Sequence, residues 1–197
     1  MAADIGYILN EMRKLGMKTP QIIPSVKINN AKAAIEQTAG YILGQRGEEF
    51  VWMSEYDEIV DWLTDNKNKG LFLYGKCGLG KTLISRYVIP AIILYIMKQA
   101  VYCYDMRELN DNLDNALSKK MLCIDDIGTE EQIVKFGDRR CAVTELLDAT
   151  EKYGKLIIIT TNLTGEELRA RYGDRVYDRI LANTKRIAFN GKSFRAK

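Results

Sequence analysis

The sequence contains no histidine. That absence removes every triad that relays a proton through an imidazole and takes from a catalytic zinc its usual ligand. Chemistry here must therefore run on carboxylates, Lys, Arg and a bound ion. Cysteine is sparse. Cys77, Cys103, Cys123 and Cys141 lie far apart with no C-x-x-C spacing, so they read as small apolar residues in a reducing compartment. Uninterrupted apolar stretches are missing too. The most apolar segment, from Tyr87 to Tyr104, is broken by Pro90 and Lys98, and the N-terminus lacks the basic-then-apolar order of a signal peptide. A cytoplasmic protein is expected.

What remains is an ordinary globular composition, 47% hydrophobic and 28% charged over 197 residues, enough for one substantial core and a small appendage. The overall charge of +3 is unevenly placed. Nine Lys/Arg against two Asp between Arg169 and Lys197 give that end +7 and leave −4 for residues 1 to 168. A basic end of this kind suits phosphate contact, and a merely solvated tail is the alternative.

Ile5, Ile8, Leu9, Met12 and Leu15 recur at helical spacing, after which Pro20 and Pro24 break the chain. A second helical face follows with Ile28, Ala31, Ile35, Ala39 and Ile42, so residues 1 to 48 are expected as two amphipathic helices on a flexible joint. Packing onto the main domain and docking a partner are equally open fates for them. From Phe50 the pattern changes: a helix around 52 to 63 leads into alternating strands and helices. Strands are expected at 71 to 75, 100 to 106, 120 to 127, 155 to 162 and 186 to 190, with helices at 81 to 97, 107 to 118, 137 to 153 and 164 to 181. Short apolar strands separated by helices imply an α/β fold, a five-stranded parallel sheet covered on both faces.

"GKCGLGKT", Gly75 to Thr82, joins the first strand to the first of these intervening helices. A glycine-rich turn feeding a helix points several backbone N–H groups at one spot, which a polyphosphate needs. Gly75, Gly78 and Gly80 permit the turn, Lys76, Cys77 and Leu79 complete the loop, Lys81 reaches the outer phosphates, and the Thr82 hydroxyl can hold Mg²⁺. Nucleotide binding is the expectation, against the blander reading of a Gly-rich turn with an exposed lysine. "MLCIDDIG" is a buried strand ending in two acids, where ligands of α/β sheets sit. Asp125 is assigned to the metal, and Asp126 to the attacking water. "IIITTN" ends another buried strand, and Asn162 at its tip can reach the γ-phosphate or that water, although Thr and Asn also suit an ordinary turn. In "RYGDRVYDRI", Arg175 and Arg179 are four apart and share a helix face. Transition-state stabilisation and a solvated, salt-bridged helix are both open for them.

In their order these motifs resemble the AAA+ ATPases, and within them the DnaC-type helicase loaders and the IstB-type transposition ATPases. The resemblance spans about residues 51 to 197, through "GLFLYGKCGLGKT", "MLCIDDIG", "IIITTNL", "GDRVYDRI" and "FNGKSFR". It implies that Lys81 and Thr82 are Walker A, Asp125 and Asp126 Walker B, Asn162 sensor 1, Arg179 an arginine finger offered to a neighbouring subunit with Arg175 as the lesser candidate, and Arg195 the sensor 2 arginine. Asp-Asp stands where many AAA+ proteins have Asp-Glu, which sets the second carboxylate one methylene back and implies slow hydrolysis. Only 18 residues follow Arg179, too few for a full helical lid. The implied function is an ATP- and Mg²⁺-dependent loader that binds a replicative DNA helicase, assists its loading on single-stranded DNA and self-associates through a shared ATP site. A transposition-helper ATPase and a nucleotide-switched binding module with negligible turnover remain alternatives. A small-molecule kinase lacks a lid and a second acidic substrate site in this sequence.

Overall fold

A computed structural model describes residues 4–19, 21–129 and 141–191. Five strands, β1 (Gly70–Gly75), β2 (Tyr102–Asp105), β3 (Met121–Ile127), β4 (Leu156–Thr161) and β5 (Thr184–Phe189), form one sheet in the order β2-β3-β4-β1-β5. Every pairing is parallel, as the expected α/β architecture requires. All six residues of β4 are buried, which is why this strand reads as a continuous apolar run and not as an alternation.

Period-two geometry divides the strand side chains between two cores. Leu71, Leu73, Cys123, Ile158 and Ile187 face one side with α2 (Ala31–Gly44), α3 (Glu55–Thr64) and the helical stretch from Leu83 to Met97. Phe72, Leu122, Ile124, Ile157 and Ile159 face the other, with α5 (Met106–Asp111), α6 (Leu113–Ser118), α7 (Ala142–Tyr153), α8 (Gly165–Tyr172) and α9 (Asp174–Asn183).

Three expected helices are broken or rewound. Residues Leu83–Val88 are π-wound before α4 (Ile89–Met97) begins. Pro90 has no N–H to donate to the Arg86 carbonyl one turn back, and that carbonyl accepts instead from the Cys103 thiol at 3.4 Å. The expected helix 107 to 118 divides at Asn112 into α5 and α6, and the one at 164 to 181 divides at Gly173, whose φ of +83° no helix interior accepts. The start expected at 137 for α7 lies outside the described residues, and so does Pro20.

The expected unit over residues 1 to 48 is divided by the packing. Val26, Ile28, Ala31, Ile35 and Ala39 are buried in the same cluster as Leu71, Leu73 and Phe189, so α2 shares a core with the sheet. The segment leading into it is tied down as well. Buried Asn66 accepts from the Val26 N–H at 2.9 Å and donates to the Pro24 carbonyl at 3.0 Å, while the Ile28 N–H donates to Leu63 at 2.9 Å. The chain that was expected as a flexible joint is therefore laid against the α3–β1 turn from Pro24 onward. The first helix, α1 (Ile5–Lys14), instead keeps Ile5, Tyr7 and Ile8 exposed. Among the described residues no helix is long and apolar enough to cross a membrane.

Candidate functional site

The loop Gly75–Thr82 leaves the end of β1 between two neighbours. Gly75, at φ +128°, runs so close to β5 that a Cβ there would collide with the Phe189 carbonyl, which explains glycine at the first position of the motif. Gly78 and Gly80 take φ values of +79° and +80°, the turn chemistry that the sequence implied. Leu79 is buried in the core shared with α3, so an apolar pin fixes the outer curve of the loop. Beneath Gly80 lies the Tyr56 ring, fully buried, with its phenol pushed up to about 12 by burial. Cys77 is an exposed free thiol and Lys76 is exposed beside it.

Lys81 is 6% exposed. Its Nζ donates to the Gly75 carbonyl at 2.7 Å, the Lys76 carbonyl at 2.8 Å and Asn162 Oδ1 at 2.8 Å. The Asn162 amide in turn donates from Nδ2 to Asp126 Oδ1 at 2.7 Å. On the other side of the site Thr82 Oγ1 donates to Asp125 Oδ1 at 3.2 Å, and Thr160 Oγ1 donates to the same oxygen at 2.6 Å. Three strand ends thus converge: β1 through its loop, β3 through two carboxylates, and β4 through Thr160 and Asn162. Lys81, Thr82, Asp125, Asp126 and Asn162, expected from separate stretches of sequence, lie in one connected hydrogen-bond network. The network also contains Thr160, which the motifs did not single out.

Arg86, one turn beyond Thr82, was missed too. Its guanidinium donates to Glu108 Oε2 at 3.0 Å and stands 3.8 Å from Asp105 Oδ2. Burial opposes its charge, but Glu108, Asp105 and Asp125 more than offset that and hold its pKa above the ordinary value. The i+4 spacing from Thr82 was the available signal. The partner carboxylates come from β2 and α5, which no local pattern connects to it.

The expected arginines do not join this network. Arg179 is half-buried on α9 and pairs within the chain with Asp148 and, at 3.2 Å, with Glu151 of α7. Within the single chain, two carboxylates on α7 draw it onto that helix. Arg175 is exposed on the same helix. Arg195 lies outside the described residues.

The donor set fits a magnesium–nucleotide. Thr82 and Asp125 offer oxygen ligands only, which suit a hard cation whose other ligands come from phosphate and water, and the glycine turn opens the backbone toward the buried ammonium of Lys81.

No protein-family model matches the chain, and no curated protein matches it. Solved structures do. The DnaC helicase loader is similar at a TM-score of 0.53 with 18% identity, covering 83% of this chain and 93% of that one. DnaI is similar at 0.51 with 23% identity, covering 64% and 73%, and domain III of the Thermotoga maritima replication initiation protein DnaA at 0.56 with 21% identity, covering 72% and 65%. At such identities the likeness is one of fold: this chain has the α/β P-loop architecture shared by those AAA+ domains, the group that its motif order resembles.

Proposed function

We propose that the chain binds ATP with Mg²⁺ at the Gly75–Thr82 loop and works as a DnaC-like helicase loader, holding a replicative DNA helicase and assisting its placement on single-stranded DNA. The observation that carries the nucleotide reading is the continuous path from Lys81 through Asn162 to Asp126, and from Thr82 to Asp125. In this reading the cation, the metal ligand and the water-orienting carboxylate share one hydrogen-bond relay. The fold likeness to the DnaC helicase loader, and to a DnaA structure bound to AMPPCP (TM-score 0.53, 16% identity), supports the same reading.

In this proposal backbone N–H groups of the loop bind the phosphates, and Lys81 turns from the Gly75 and Lys76 carbonyls toward the outer phosphate. Thr82 and Asp125 hold the metal, which supplies charge neutralisation when bound. Asp126 orients the attacking water. Asn162, bridging Lys81 and Asp126, reports whether the outer phosphate is present. Arg179, released from Asp148 and Glu151, completes a neighbour's site.

A second reading rests on Asp126, whose carboxylate is a methylene shorter than glutamate and engaged by Asn162: a nucleotide-switched binding module that turns over negligibly. Phosphate release with and without single-stranded DNA separates the two. DNA-stimulated turnover supports the loader, whereas tight Mg-ATP binding with no turnover under either condition supports the switch. The nucleotide premise is tested by Lys81→Ala and Thr82→Ala, both expected to weaken binding of a fluorescent ATP analogue with Mg²⁺ at least about tenfold. Unchanged affinity in both would remove the assignment. Co-purification with a replicative DNA helicase tests the partner, and no capture of the helicase with or without Mg-ATP would remove the loader reading.

A further inference from the structure

We propose that Thr160 is the positioning residue that makes two consecutive carboxylates serve one site. In a regular strand, neighbouring side chains point to opposite faces, so Asp125 and Asp126 should be separated by the sheet. Both nevertheless turn into the nucleotide site, Asp125 toward Thr82 and Asp126 toward Asn162. The register between β3 and β4 slips between Ile124 and Ile127, and Asp126 occupies the left-handed region at φ +57°. This bulge swings the second carboxylate round.

The kink needs an anchor, because it takes the Asp126 N–H out of the regular ladder. Thr160 Oγ1 accepts that N–H at 2.7 Å and donates its single proton to Asp125 Oδ1 at 2.6 Å. One oxygen therefore fixes the Asp125 rotamer and the Asp126 backbone together. Thr160 is 1% exposed and β-branched, so its hydroxyl has little freedom to leave. Valine, the same shape without the hydroxyl, can do neither task.

The inference rests on reading the site as a Mg-nucleotide site, and the test separates the two. Thr160→Val and Thr160→Ser are compared with wild type by titrating a fluorescent ATP analogue with Mg²⁺ and with EDTA, by phosphate release, and by hydrogen exchange of the Asp126 amide. The valine variant should lose about tenfold to a hundredfold of the Mg²⁺-dependent gain in affinity and a similar factor in turnover. Its affinity in EDTA should be unchanged and its Asp126 amide deprotected. Serine should restore all three. If valine does not fold, Thr160→Ala is read the same way. Wild-type Mg²⁺ dependence and amide protection in the valine or alanine variant would overturn the inference, and so would a serine variant as defective as valine, since the methyl would then be what matters. If wild type itself gains nothing from Mg²⁺, the functional reading fails. The amide exchange then decides the role of Thr160 alone: protection lost supports the anchor, and protection kept removes it.

Discussion

Asp126 holds a carboxylate on a left-handed backbone position, a conformation that Asp tolerates better than most residues, and presents it to Asn162 at 2.7 Å. If it orients the water, Asp126→Asn should keep nucleotide affinity, since the Asn side chain still accepts from Asn162, and lower turnover by about 10² or more. Phosphate release beside a fluorescent-nucleotide titration checks the split. Lost affinity would instead give Asp126 a ligand role. At this scale the sequence was informative about which residues come together, as for Lys81, Thr82 and Asp125, whose types and spacing form recognisable motifs. It was silent on Thr160, because a threonine in a strand ordinarily reflects β-propensity, and nothing local distinguishes one whose hydroxyl spans two residues of the next strand.

Between elements, the segment from Pro24 to α2 behaves as part of the core that packs on the sheet. Ile28 is fully buried, with its N–H bonded to Leu63. Ile28→Ala is expected to destabilise by about 2–5 kcal/mol, read by urea denaturation. Removing residues 1 to 48 should unfold the chain, since it strips Val26, Ile28, Ala31, Ile35 and Ala39 from one face of the sheet. Removal of residues 1 to 18 takes away α1, whose Ile5, Tyr7 and Ile8 are exposed and which, among the described residues, adds none to the buried core, and should leave the far-UV spectrum of the remainder and Mg-ATP binding intact. In the loader proposal that shorter chain loses the helicase, and retained capture at the same affinity would move docking onto the ATPase body. The helical pattern of α2 was legible from Ala31, Ile35 and Ala39. Its attachment was not, because it depends on Asn66, some forty residues away, reaching Pro24 and Val26.

For the whole molecule the open question is whether one chain completes its own site. Arg179 is held on α7 by Asp148 and Glu151, and in the loader proposal these pairs are exchanged for a phosphate on a neighbour. Arg179→Ala should therefore bind nucleotide normally and lose turnover, while Lys81→Ala loses both. Mixed together, the two should regain activity, because the Lys81→Ala chain offers Arg179 to an intact loop. A mixture as inactive as its parts, under conditions where wild type hydrolyses, would count against a shared site.

The sequence alone determined the alternation of short apolar strands and helices, hence the parallel sheet, because burial on both faces leaves a composition signal that needs no partner to be read. It also determined the glycine turn before Lys81 and Thr82, since positive φ at Gly78 and Gly80 favours that residue type. Only the tertiary structure decided how the pieces meet. The bulge at Asp126, the hydroxyl of Thr160 across two carboxylates, the draw of Arg179 onto α7 and the seating of Val26 and Ile28 in the core all join residues distant in sequence. Such pairings are set by strand register and long-range packing, which fix where a side chain's partner lies and leave no periodic trace in the chain.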